Sequence, residues 1–266
     1  MLLQVDGSRH DWLEGRGPVL TLVGAIDDAT GMVPSAVFRE QEDPQGYFLV
    51  LREMARHQGL PLAVYSDRHS IFEVSPGQLE TVEEQLMGKR AQTQVSRALE
   101  ALGIQLILAL SPQAKERIER LWGTFQGRLV TELRLAGART MEEANQVLAA
   151  FLVRFNAQFP VPPTQPGSAY RPLPHGLDLD GVLCFTYQRT VGADNTVQFG
   201  GQVLQLLPSR ERQSYARARV EVQERLDGSL VVCHRGRVLA TTHAPPQPVT
   251  LRARKRGPWR GALHQR

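Results

Sequence analysis

The sequence predicts an α/β domain built on a mixed five-stranded sheet with helices, followed by a small all-β barrel. Three observations carry this. The first three apolar segments are separated by short turn-forming stretches, as in an antiparallel meander. The next two each follow an amphipathic helix and a stop glycine, the signature of strands added in parallel by crossovers. Beyond a proline-dense stretch the apolar runs become short and are linked by hairpin-type turns.

In chain order, residues 2–6 form a short buried strand that ends in Asp6, and residues 19–26 a second. Asp27, Asp28 and Gly31 supply the turn to a third strand over 32–38, because Asx side chains bond their own backbone there. Asp43 and Pro44 open a helix that Gly59 stops, with Tyr47, Phe48, Leu51 and Ala55 on one face. Residues 62–67 are a fourth strand, again closing on an aspartate, Asp67. The polar stretch 73–92 reads as a surface insertion. A short helix over 95–102 and a fifth strand over 104–110 lead into a long helix at 111–135. Ser111 is placed to cap that helix and Pro112 to occupy its first position. Another amphipathic helix spans 141–155.

Prolines at 160, 162, 163, 166, 172 and 174 predict a semi-rigid linker. The domain boundaries read 1–155, linker 156–176, barrel 177–248 and basic tail 249–266, with barrel strands at 182–188, 196–199, 203–207, 218–225 and 230–234. Cys184 and Cys233 lack metal-site spacing and read as buried thiols in a reducing cytoplasm.

The 42% apolar and 22% charged content is that of a globular domain, and no apolar run is long enough to span a membrane. Net charge is +4, but the cations are concentrated at one end: after Asp227 there is no acid, while Arg235, Arg237, Arg252, Arg254, Lys255, Arg256, Arg260 and Arg266 follow. Such a basic terminus suits nucleic acid. Trp259 within it could stack on a base. No glycine-rich phosphate loop and no Ser-His-Asp pattern supports ATP or acyl chemistry.

The long helix carries the third acid. Ile118, Leu121, Trp122, Phe125 and Leu129 share a stripe, and with Ile118 at zero, Glu119 lies near ~100° on its shoulder and Glu116 near ~160°, towards solvent. In a sheet ordered 3-2-1-4-5, Asp6 and Asp67 close adjacent strands, and Glu119 on the helix edge would face them. Three carboxylates without His or Cys partners suit Mg²⁺ or Mn²⁺, and two such ions would serve an in-line phosphoryl displacement with no protein nucleophile. Lys115, Arg117 and Arg128 flank the acid helix as candidate phosphate contacts, and His10 and His69 follow the aspartates closely, placed to orient DNA.

Residues 6–14 (DGSRHDWLE), 65–72 (YSDRHSIF) and the helix at 111–135 together resemble the integrase-core, or DDE, transposases of the ISNCY type, and the resemblance runs over essentially the whole chain. It implies an RNase H-like core with Asp6, Asp67 and Glu119 as a triad holding two metal ions. It also implies cleavage at insertion-sequence ends, transfer of 3′ ends into target DNA, a homo-oligomeric synaptic complex, and residence in the bacterial cytoplasm at the nucleoid. Two features depart from that pattern. The helix-turn-helix region expected ahead of the first aspartate does not precede Asp6, so a shortened derivative that binds DNA or full-length transposase as an inhibitor is the alternative expectation. Glu116 stands where glycine is expected.

Overall fold

The computed structural model describes residues 2–74, 92–109, 116–163 and 170–243. Five strands, β1 (Leu2–His10), β2 (Leu20–Asp27), β3 (Ser35–Arg39), β4 (Ala63–Ser66) and β5 (Gln105–Leu108), form one sheet in the order β3-β2-β1-β4-β5. The β1-β2 and β2-β3 pairs are antiparallel, whereas β1-β4 and β4-β5 are parallel. This is the mixed RNase H-like order expected from the sequence.

Helices cover both faces, because β1 and β2 alternate between two apolar sets. Leu3, Val5, Val23 and Ala25 pack against α1 (Pro44–His57) and α2 (Gln94–Ala101). Leu20, Leu22 and Ile26 pack on the opposite side against α3 (Glu116–Leu135) and α4 (Met141–Gln158). Local chemistry fixes the helix starts: the Asp43 side chain accepts from the Gly46 N–H ahead of Pro44, and Thr140 with Glu143 forms a capping box on α4. In the second core Phe125 lies edge-on to both Phe151 and Phe155, at 5.0 Å from each, which ties α3 to α4.

Several boundaries differ from the sequence reading. β1 continues to His10, so Asp6 lies inside the strand, where backbone pairing with β2 runs from Leu3 to His10. α4 continues to Gln158, past the expected linker start, because the Asn156 amide bonds both the N–H and the carbonyl of Val33. Ser111, Pro112 and Lys115 and most of the polar insertion lie outside the described residues, as does the tail with Arg254, Lys255, Arg256 and Trp259.

Among the described residues the second β region holds seven strands where five were expected: β6 (Phe185–Thr190), β7 (Thr196–Phe199), β8 (Gln202–Leu206), β9 (Arg219–Glu224), β10 (Leu230–His234), β11 (Arg237–Leu239) and β12 (Thr241–His243). They form a four-stranded sheet, β11-β10-β9-β6, and a three-stranded sheet, β12-β8-β7. Val197, Leu204 and Leu206 from the smaller sheet share a core with Val220, Val222 and Val232 from the larger. The short helix α5 (Leu179–Val182) precedes β6, where a strand start was expected. Both cysteines are buried free thiols.

The connecting segment from 170 onward is docked on the first domain. Leu60 and Arg171 form an isolated antiparallel bridge, and a Cβ on Gly59, at φ +101°, would lie 2.4 Å from the Arg171 carbonyl oxygen. The Arg171 guanidinium donates to the Leu102 and Gly103 carbonyls. Gln94 pairs with the backbone of Thr186 in both directions, and Arg97 donates to the carbonyls of Val182 and Cys184. Phe48 meets Phe185 edge-on at 5.4 Å.

At its far end α3 is tied to the loop after β1. Arg134 forms a two-pronged pair with Glu14, whose other guanidinium partner is Arg16. The hydrogen bonds and charge of Arg134, then of Arg16, hold the Glu14 carboxyl down at about 2. A lowered folded-state value stabilises above the usual 4.5 and is lost as pH falls towards 2. The melting temperature of Glu14→Gln is therefore expected below the parent's at pH 6, with the gap closing between pH 4.5 and 2.

Candidate active site

Alternation along β1 sends Gln4, Asp6 and Ser8 to the α3 side of the sheet, opposite Leu3 and Val5. Leu2, Leu3 and Gln4 register with Ala63, Val64 and Tyr65, an offset of 61 positions that Asp6 and Asp67 share. Carried two residues past Tyr65, the same register sets Asp67, just beyond the end of β4, level with Asp6. Both aspartates are half-buried.

α3 is bonded to this strand at two points. The Trp122 indole N–H donates to Asp6 Oδ2 at 3.3 Å, and the Ile118 backbone N–H donates to Gln4 Oε1 at 3.2 Å. Arg117 turns to one flank, where its Nε lies 3.2 Å from Asp28 Oδ1 just past the end of β2. Glu119 is ~100° from Ile118 in the opposite sense, which puts it on the β4 flank, the side of Asp67. Its side chain is exposed. Among the described residues no group of three or more His, Cys, Asp or Glu side chains is gathered closely enough to hold a metal ion. Asp6 on β1, Asp67 just past β4 and Glu119 on α3 thus lie on neighbouring elements, but their three carboxylates are not gathered into one cluster. Their donor chemistry, carboxylate oxygen alone, fits Mg²⁺ or Mn²⁺ better than softer metals.

Behind β1, on the α1 side, the Tyr47 hydroxyl donates to Glu42 Oε1. Burial, then the Glu42 carboxylate, then the charges of Asp6 and Asp67 push the Tyr47 hydroxyl well above its usual 10. Both aspartates therefore act on one buried hydroxyl from across the strand. Gly7 makes room for this arrangement, since a Cβ there would stand 2.7 Å from Glu42 Cδ.

The structure distributes the other expected residues unevenly. The His69 backbone N–H donates to Asp67 Oδ1, and its ring Nδ1 accepts from the Ile71 N–H, so this histidine shapes the turn after β4. His10 lies edge-on to buried Trp12 at 5.3 Å. Arg128 stacks over Phe159 at 4.5 Å, distant in the helix from Glu119. Glu116 is exposed, 3.7 Å from Arg120. Sequence reasoning passed over Gln4, Glu42 and Tyr47 as site residues, since a buried glutamine in a strand carries no motif. It read Asp28 as a turn residue in preference to a metal ligand. Asp27 does close the turn, accepting from Ala29 and Thr30, whereas Asp28 faces Gln4 and Arg117.

No protein-family profile matches the chain. It is 38% identical over 239 residues to a putative transposase, y4bF, of Sinorhizobium fredii (strain NBRC 101917 / NGR234), a match covering 90% of this chain and 51% of that protein. It is 38% identical over 159 residues to the transposase for insertion sequence IS1202 of Streptococcus pneumoniae, covering 59% of this chain and 32% of that protein. The chain thus spans about half the length of the first relative and a third of the second. Among solved structures it is similar to the catalytic core domain of BIV integrase, with a TM-score of 0.42, 17% identity and coverage of 59% of this chain and 84% of that one. It is also similar to a simian T-cell lymphotropic virus intasome in complex with PP2A regulatory subunit B56 gamma, with a TM-score of 0.43, 15% identity and coverage of 92% and 79%.

The indole–carboxylate bond makes a measurable prediction. Trp122→Phe removes the donor to Asp6 together with the Cη2 end of the indole that packs towards Gly24, and is expected to cost about 1–3 kcal/mol in urea unfolding at pH 7. In a double-mutant cycle with Asp6→Ala, which removes the acceptor, the two changes should be non-additive by at least ~0.5 kcal/mol. Additive losses would show that the bond contributes nothing.

Proposed function

We propose that the chain, 38% identical to a putative transposase and to the transposase for insertion sequence IS1202, is the catalytic region of a DDE transposase, with Asp6, Asp67 and Glu119 as the metal-binding acids. The observation that carries this reading is the parallel register of β1 with β4, which continued two residues would bring Asp67 level with Asp6, with the Glu119 helix bonded to Asp6 through Trp122.

In this reading the reaction is an in-line phosphoryl transfer. At an element end, a water oxygen attacks the scissile phosphorus and the 3′ oxygen leaves with a proton. In the joining step that 3′-hydroxyl attacks a target phosphodiester, forming one P–O bond as another breaks. Bound Mg²⁺ or Mn²⁺ would supply Lewis-acid stabilisation of the attacking and leaving oxygens. Asp6 and Asp67 would hold these ions from the sheet and Glu119 from the helix. The Trp122 N–H keeps Asp6 oriented, since one of its oxygens is fixed by a directional donor.

DNA, both element ends and target, is the proposed substrate, and the protein acts at the nucleoid as a homo-oligomer in a synaptic complex. Arg117, Arg128, Lys115 and the tail residues Arg254, Lys255 and Arg256 are the proposed phosphate contacts. An alternative, in which the chain binds DNA or a longer transposase and blocks it, draws support from the lack of a closed three-acid cluster among the described residues.

Incubation with element-end oligonucleotides, plasmid and Mn²⁺ separates the two. The transposase reading expects 3′-end joining that falls at least a hundredfold in Asp67→Asn and in Glu119→Gln, with DNA affinity retained. It also expects Mn²⁺ to raise the melting temperature of the parent and not of Asp67→Asn. DNA binding by the parent with no joining, together with suppression of a longer transposase, would establish the inhibitor instead.

A further inference from the structure

Gln4 is 5% exposed in the middle of a strand, a place where an amide costs stability unless all its groups are bonded. Its oxygen accepts from the Ile118 N–H in the first described turn of α3. Its nitrogen donates to Asp28 Oδ1 at 2.9 Å. That carboxylate oxygen also receives Arg117 Nε at 3.2 Å. Arg117 and Ile118 are neighbours, so the bonds close a ring: Arg117 to Asp28, Gln4 to Asp28, and Ile118 to Gln4. Asp28 also dictates the amide orientation. A flipped Gln4 would set its oxygen against a carboxylate and its NH₂ against an N–H, leaving both contacts repulsive.

A second anchor lies further along the same two elements. Asp6 is two residues beyond Gln4 on β1, and Trp122 is four beyond Ile118 on α3. Two strand residues span about 6.6 Å, and four helix residues about 6 Å. The bonds can form together only when α3 runs alongside β1 in a single register. A slip of one helix residue, about 100° and 1.5 Å, breaks both. Glu119 sits between the anchors, immediately after Ile118 and one turn before Trp122.

We propose that Gln4 is a positioning residue for the carboxylate site: its amide, oriented by Asp28, locks the register of α3 that sets Glu119 on the flank of Asp6 and Asp67. This rests on the transposase reading for its consequence and on this ring of two hydrogen bonds and one ion pair for its geometry.

The test compares the full chain with Gln4→Leu, and with Gln4→Glu combined with Asp28→Asn, which restores one donor–acceptor pair between these two positions. Backbone hydrogen exchange over residues 116–122 and the Mn²⁺ concentration giving half-maximal joining are both measured. In Gln4→Leu, exchange at 116–122 is expected to accelerate at least tenfold while 125–133 keeps its protection. Half-saturation by Mn²⁺ should rise at least tenfold, more than the loss in rate at saturating metal. The paired variant should recover much of both, and it remains informative if Gln4→Leu does not fold. Unchanged exchange at 116–122, or a drop in saturated rate with unaltered Mn²⁺ dependence, would overturn the proposal. A parent that neither joins DNA nor responds to Mn²⁺ would instead count against the transposase reading, and the exchange measurement would still decide whether Gln4 sets the helix.

Discussion

A strand that must be apolar on one face and polar on the other, while buried on both, is the constraint on which this domain depends. β1 lies at the centre of the sheet, antiparallel to β2 and parallel to β4, with helices over both faces. One face answers with Leu3 and Val5, which close the core beneath α1. The other carries Gln4 and Asp6, and each polar group there needs a partner to offset its desolvation. α3 meets that need with a backbone N–H and an indole N–H. An apolar helix face laid on the same strand would take away the donor to the buried Gln4 oxygen and the indole donor to half-buried Asp6. The acidic strand and the helix above it are therefore matched, and neither sequence makes sense without the other.

Much of this was legible in the sequence because it rests on periodicity. The turn at Asp27, the helix opening at Asp43 and Pro44, and the stripe of Ile118, Leu121, Trp122, Phe125 and Leu129 are local patterns that the tertiary structure leaves standing. Sheet order followed from which apolar runs were joined by turns and which by helices. The parallel pairing of β1 with β4 followed in turn, at the offset of 61 positions that also separates Asp6 from Asp67.

What escaped the sequence was set by contacts between distant segments. Asn156 extends α4 by bonding Val33, 123 positions away, and nothing around Asn156 announces it. The proline-dense stretch reads as a semi-rigid linker, and nothing in it announces that Arg171 and Tyr170 lie against the segment around Leu60 and Leu102, where Gly59 and Gly103 leave space for them. Trp122 reads as core from its stripe. It is buried, but its one polar atom faces Asp6, a role that a hydrophobic pattern cannot register. Gln4 and Glu42 belong to the same class, polar residues whose meaning lies in their partners.

The clasp between the two β-containing parts has a mechanical meaning. Gln94, Arg97 and Phe48 grip the second part on the α1–α2 side of the sheet, while the aspartates open on the other. Whatever the trailing sheets hold is thereby kept at a set bearing from the acids, as a handle is to a blade. Strain applied through that handle loads α1 and α2 first, sparing the face where Asp6 meets Trp122.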